Sequence, residues 1–194
     1  MQQTRDISFA TPRRTELFDD LVDLFLGAGF RHLTLDEIAR RLKCSKSTLY
    51  TLAGSKEQLV RAATVHFFRR NTQIVEDRLA STAGSRERIS AYLSAVGHAL
   101  STASADFMSD LDTFPPAREV YEQNSRIAAR RVQELIDEGV AKGDFRHVNA
   151  AFAADLVSTM MVRIQQGAVR DQIGLDDASA YRELASILTA GIGL

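Results

Sequence analysis

Residues 34–59 read TLDEIARRLKCSKSTLYTLAGSKEQL, and the reading of this stretch governs the rest of the chain. Thr34 and Glu37 have the spacing of a capping box, which predicts a short helix through Leu42. Ser45 opens a second helix to about Leu52, and Gly54 breaks the chain. Ser55 with Gln58 then forms another capping box, for a long helix through about Leu79. Ile38, Ala39, Leu42 and Leu49 supply an apolar brace between the two short helices, with the small Ala39 where they cross closely. Ser45, Lys46, Ser47 and Thr48 fill the first turn of the second helix. Their short side chains can approach phosphates and base edges, and the free N–H groups of a helix start attract phosphate. This is the geometry of a helix-turn-helix, whose second helix lies in the DNA major groove.

Charge supports that placement. The chain of 194 residues has a formal net charge of −1, so it does not advertise polyanion binding as a whole. Between Arg31 and Lys56, however, six basic residues (Arg31, Arg40, Arg41, Lys43, Lys46, Lys56) face two acids (Asp36, Glu37), a local net of +4. With 45% hydrophobic and 25% charged residues, the composition is that of an ordinary globular protein. Its one cysteine, Cys44, excludes an intrachain disulfide framework and Cys-rich zinc sites, and it fits a reducing compartment. The start MQQTRDISFATPRR has no apolar run suited to a signal peptide, and no stretch approaches the roughly 18 apolar residues of a spanning helix. The expectation is a cytoplasmic protein with no membrane partner.

Periodicity is helical almost throughout, with no alternating strand, so the fold class is all-α with about nine helices. Thr11-Pro12 reads as an N-cap and first helical position, with Leu17, Leu21, Leu24 and Phe25 at helical spacing and Gly27–Gly29 as the stop. The small, polar STAGS run at 81–85 is the best linker candidate. Beyond it, helices are expected over 86–103, from Pro115-Pro116 to about Lys142 with a stop at Gly143, and over 149–168 and 177–190.

The run Gly29-Phe30, Leu33 to Ala39, Cys44 to Tyr50 and Ser55 to Leu59 resembles the N-terminal domain of the TetR family of transcriptional regulators. The resemblance covers about residues 11–70, with the spacing kept. It implies an all-α homodimer with a three-helix DNA-binding head at 11–70 and a C-terminal ligand-binding and dimerisation domain at 71–194. It also implies a ligand-responsive repressor of a palindromic double-stranded DNA operator, switched when a small-molecule effector changes the separation of the two heads. Activation in place of repression stays open, as do the effector, the operator and the regulated genes. Three positions depart from the family pattern. Lys43 takes the turn position usually held by glycine, which implies a positive-φ lysine at a cost of roughly 1 kcal/mol. Leu52 stands where His or Tyr often contacts the DNA backbone, and Ala53 stands where an aromatic is usual. These departures keep alive a rival reading, a small-molecule-binding helical dimer with a decayed DNA-binding head.

The candidate DNA-binding residues are Thr34, Arg41, Ser45, Lys46, Ser47, Thr48, Tyr50 and Lys56. Arg40 and Arg41 suit phosphate contact or solvated surface equally, and Arg13 and Arg14 suit an arm onto DNA or plain solubility. Cys44 suits a small apolar turn residue better than a thiol switch. Tyr92, His98, Phe107, Met108, Phe114, Met160, Met161 and Gln165 are candidate pocket residues, soft and aromatic with a few polar groups, although core packing serves any one of them as well. Arg126, Arg130 and Arg131 fit an anionic effector or, better, a solvated or dimer-rim face. His98, Asp106, Asp110, Asp112 and His147 match no metal-ligand spacing, so no metal and no cofactor is expected. No catalytic constellation stands out, and the chain is not expected to be an enzyme. For dimerisation, Leu156, Met160, Ile164, Leu184, Ile187 and Leu188 form the expected apolar stripe, with Ala150, Ala151, Ala153 and Ala154 allowing close approach.

Overall fold

In a computed structural model of the protein, which describes residues 12–193, the regular elements are α-helices throughout. The expected cap at Thr11 lies outside the described residues. The helices are α1 (Pro12–Ala28), α2 (Leu35–Arg41), α3 (Lys46–Leu52), α4 (Lys56–Ala80), α5 (Ser85–Leu100), α6 (Ala105–Thr113), α7 (Pro115–Lys142), α8 (Ala150–Gln165), α9 (Ala168–Ile173) and α10 (Asp177–Ile192). The all-α class is as expected, with ten helices among the described residues against the expected nine or so; the short α6 and α9 are the two whose bounds the sequence does not mark. The nine residues of α6 place only Phe107, Met108 and Leu111 between acids, and α9 is six residues framed by Gly167 and Gly174. Neither is long enough to show a helical period.

Helix ends follow local chemistry. Thr34, Ser45, Ser55, Ser104, Asn149 and Asp176 each accept a backbone N–H three residues on, satisfying donors that no helical carbonyl reaches. α7 stops where expected, at Gly143, whose φ of 79° closes the last turn in the left-handed region.

Two apolar clusters hold the molecule. One joins Phe18, Phe25, Phe30, Leu33, Ile38 and Leu49 to Leu59, Val60 and Phe67 of α4. It continues into the second half of the chain through Phe107, Leu111, Ala117 and Tyr121. The other packs α4, α5, α7, α8 and α10 around Leu93, Val132, Ile136, Val157 and Tyr181. α4 belongs to both, so a single 25-residue helix runs from the head into the body. Asp19 on α1 fastens that helix, lying 2.8 Å from His66 Nε2 and accepting from Arg70 Nη1 at 2.9 Å.

α6 is the second tie between the halves. Asp110 accepts the backbone N–H groups of Phe30 and Arg31 at 2.7 and 2.8 Å, and the Ser104 N–H donates to the Leu26 carbonyl at 2.8 Å. Gly29, at φ 70°, lets the carboxylate in: a Cβ there would sit 2.6 Å from Asp110 Oδ2.

Candidate nucleic-acid interface and cavity

The turn between α2 and α3 is built without its usual glycine. Lys43 has φ 51°, the one positive value at a non-glycine among the described residues. Its N–H donates to the Arg40 carbonyl at 3.3 Å, and the Cys44 N–H reaches back to the Ala39 carbonyl at 3.0 Å. These are the two bonds of a Schellman ending, and the residue after the left-handed position packs inward. That residue is Cys44, half-buried against the cluster holding Ile38 and Ala39. Burial pushes its thiol up from the ordinary value, so it stays a small apolar wedge and not a thiolate. Lys43→Gly is expected to stabilise the protein by about 1 kcal/mol, while Lys43→Ala leaves it within about 0.5 kcal/mol. Urea midpoints of the two variants measure the difference, and equal midpoints would show that the turn is unstrained.

Thr34 is committed to its own helix. Its hydroxyl accepts from the Glu37 N–H at 3.2 Å and donates to Glu37 Oε2 at 2.8 Å, while its N–H donates to the same oxygen at 2.8 Å. The Thr34 N–H, then the hydroxyl, hold the Glu37 carboxyl below the usual range. At the start of α3, Ser45 Oγ accepts from the Thr48 N–H at 3.1 Å and lies 2.7 Å from Ser47 Oγ and 2.8 Å from Thr48 Oγ1. Three hydroxyls therefore meet at one helix N-terminus, with Ser45 and Ser47 exposed.

Around them the basic side chains differ. Lys46 Nζ pairs with Asp36 Oδ2 at 3.0 Å across the exposed seam between α3 and α2. Arg41 is exposed in the last turn of α2, and Tyr50 is 49% exposed on α3. Lys56, at the first turn of α4, donates to the Arg31 carbonyl at 2.7 Å, and its partial burial lowers its pKa. Leu52 is buried in the head cluster and Ala53 caps α3 half-buried, so neither presents a polar group outward.

Sequence reasoning missed the brace behind α3. Arg14 on α1 donates to the last carbonyls of α3, Thr51 at 2.8 Å and Leu52 at 3.2 Å, with its guanidinium 5.6 Å from the Phe18 ring centre. A cation at that helix end complements its dipole and satisfies its free carbonyls. Arg14 is thus turned inward, and only Arg13 of the pair is left exposed. Asp110, weighed above only as a metal ligand, serves the α1–α2 turn instead.

Within the body, a cavity of about 110 Å³ lies among α4, α5, α7 and α8. It brings together three of the eight pocket candidates, Tyr92, Met161 and Gln165, with Phe67, Phe68 and Tyr121. Of the others, Phe107 is buried in the head cluster, and Phe114 packs edge-on to Phe30 at 5.7 Å. Met108 lines a separate cleft beside α9. His98 is exposed near the end of α5, and Met160 is half-buried on α8 outside the cavity wall. Gln165 joins two walls: Tyr121 Oη donates to Gln165 Oε1, and Gln165 Nε2 donates to Tyr181 Oη at 2.9 Å. Glu76 and Arg131 close the cavity's charged edge with paired bonds of 2.8 and 3.0 Å.

The expected dimer stripe is divided by the fold. Ile164 points into the chain's own core, and Met160, Leu184 and Leu188 are half-buried. Leu156 and Ile187 are 56% and 63% exposed, and Phe152, not foreseen, is 63% exposed. No helix among the described residues is long and apolar enough to cross a membrane.

The model of the family described as bacterial regulatory proteins, tetR family, matches residues 17–63. No curated protein matches the chain significantly. A TetR transcription regulator from Haloarcula marismortui superposes with a TM-score of 0.78 at 18% identity, covering 95% of this chain and 100% of that one. A Saccharomonospora viridis protein in complex with choline gives 0.77 at 16% identity, covering 94% and 97%. The fatty acid degradation regulator FadR from Bacillus halodurans gives 0.72 at 15% identity, covering 93% and 96%. At these identities the likeness shows the fold, and the family match adds the head. Over residues 17–63 the chain thus matches the model of the tetR family of bacterial regulatory proteins, and it shares the all-helical fold of the solved regulators.

Proposed function

We propose that the protein is a ligand-responsive DNA-binding regulator, not an enzyme, that represses by gripping a two-fold symmetric operator as a homodimer. One observation carries this reading. The exposed hydroxyl-rich start of α3, with Lys46 beside it, sits on a braced helix-turn-helix in the part of the chain the family model matches. Ser45, Ser47, Thr48 and Tyr50 face the groove and sugar-phosphate edge in this reading. Arg41, Lys46 and Lys56 take phosphates, and Thr34, through its capping box with Glu37, holds the start of α2 beside them. Lys46 exchanges Asp36 for a phosphate, and Lys56 gives up its bond to the Arg31 carbonyl.

Division of labour near residue 70 follows, with 11–70 as the DNA-binding head and 71–194 as the ligand-binding and dimerising body. Packing is more continuous than function, since the head cluster borrows Phe107, Leu111, Ala117 and Tyr121 from the body. That continuity supplies the switch. Phe67 and Phe68 belong to the head cluster and also line the cavity. A molecule entering the cavity therefore presses directly on α4, and α4 carries the head. The neighbour solved with choline shows that a protein of this fold takes a small ligand.

A footprint on promoter DNA flanking the protein's own gene tests the reading, with a salt-sensitive protected palindrome as the expected result. Lys46→Ala is expected to weaken binding across sequences and to reduce the salt slope by about 1. An absence of any protected site would favour the rival, a helical ligand-binding dimer whose head no longer reads DNA.

A further inference from the structure

We propose that the effector is an electrically neutral molecule with a compact apolar body and a hydroxyl or carbonyl edge, and that a closed ion pair in the cavity wall turns away carboxylates and ammonium ions. The inference rests on the reading of the cavity as the effector site, and it deepens that reading by naming a ligand class. Among the residues lining the cavity, Glu76 and Arg131 are the charged ones, and each neutralises the other. Arg131 Nε and Nη2 bind the two Glu76 oxygens at 2.8 and 3.0 Å, and Nη1 binds Glu134 at 2.9 Å. Every nitrogen of the guanidinium and both oxygens of the carboxylate are thus engaged. An incoming anion would have to take Arg131 from Glu76 and leave that carboxylate uncompensated beside an apolar wall. An incoming cation would have to take Glu76 from Arg131, breaking its paired bonds and leaving the guanidinium to Glu134 at 2.9 Å and Glu138 at 3.7 Å.

The remaining wall suits a neutral guest. Phe67, Phe68, Tyr92 and Tyr121 give aromatic faces, and Met161 gives an adaptable edge. Burial pushes the Tyr92 hydroxyl up, and it pushes Tyr121 up to about 12, so neither adds charge. Their O–H groups donate to the Ala128 carbonyl at 3.4 Å and to Gln165 Oε1, which leaves oxygen lone pairs to accept from a hydroxyl. Asn71, Asn124, Ser158 and Gln165 add amides and hydroxyls that pair with neutral groups. The aromatic faces could hold a quaternary ammonium by cation–π attraction, yet the carboxylate that would balance it is taken by Arg131. Size bounds the guest: an apolar cavity of about 150 Å³ holds benzene, and this one is about 110 Å³, so the body that fits without expansion is no larger than a single ring.

Calorimetric titration of the full-length protein with para-cresol, para-toluate and benzylammonium, probes of one size and three charges, tests the proposal. Para-cresol is expected to bind at least about tenfold more tightly than either ion. Glu76→Gln releases Arg131 and is expected to raise para-toluate affinity about tenfold, and Arg131→Gln is expected to do the same for benzylammonium. Wild-type binding of either ion as tight as that of para-cresol overturns the proposal, as does an unchanged ranking in both variants. Ser158→Phe, and Ala99→Leu from the facing helix, fill the cavity and are expected to remove para-cresol binding. Binding that survives both, or no binding of any probe by the wild type and both charge variants, overturns instead the reading of the cavity as the effector site.

Discussion

Phe30→Ala is expected to destabilise the protein by about 3–5 kcal/mol. The ring is 0% exposed and sits at the turn between α1 and α2, where the two halves of the molecule meet. Its centroid lies 5.3 Å from that of Phe25, 6.0 Å from Phe107 and 5.7 Å from Phe114. Two of these neighbours are edge-on, the arrangement that adds attraction beyond buried area. Truncation therefore removes aromatic contacts with both α1 and α6 and leaves a void that neighbouring rings cannot fill without leaving their rotamers. Because a domain is stable by only about 5–15 kcal/mol, the loss is a large fraction of the whole. A fall of about 10 °C or more in the thermal midpoint is the expected reading, and a urea titration gives the energy directly. A loss below about 1 kcal/mol would show that the cluster closes over the gap.

That same turn shows where reading the sequence succeeds and where it stops. The capping boxes of Thr34 with Glu37 and Ser55 with Gln58, the Ser45 cap and the Gly143 stop are signals between residues a few positions apart, and each marks the helix end it predicts. The positive φ of Lys43 follows from the same local logic, through the turn it occupies. Asp110 could not be read that way. Its partners, Phe30 and Arg31, lie about 80 positions earlier, and an aspartate among serines and acids on a short helix carries no mark of them. Arg14 likewise serves carbonyls 37 and 38 positions away. Phe107 and Tyr121 show the limit for the cavity. Both are buried aromatics of the second half and both join the head cluster, but of the two Tyr121 alone also lines the cavity. Composition cannot separate a wall from a core, because both need the same apolar side chains. The packing of α7 against α4, α5 and α8 decides it.

The double variant Leu156→Glu with Ile187→Glu is expected to convert the protein to a monomer and to weaken operator binding by about 100-fold or more. α8 and α10 pack on each other, and each turns large apolar side chains to the outside, with Phe152 and Leu156 on the first and Ile187 on the second. Burying a Phe, Leu or Ile side chain is worth about 1.5–3 kcal/mol, so such a face gains much from meeting its own copy. Two glutamates set into it would confront their symmetry mates across the same axis, adding like-charge repulsion and unpaired burial to the lost apolar contact. Neither residue belongs to the buried core of its own chain, so the monomer should keep its helical content and a cooperative melting transition, at a lower midpoint than the dimer. The effect on DNA follows from linkage. A dimer that has bound one half-site presents the second head at high effective concentration, and that advantage, typically about 100-fold to 10,000-fold, disappears with the dimer. Sedimentation velocity reads the assembly and a titration with operator DNA reads the affinity. A variant that still sediments as a dimer would move the interface off α8 and α10, whereas a folded monomer with undiminished affinity would show that one head reads the operator alone.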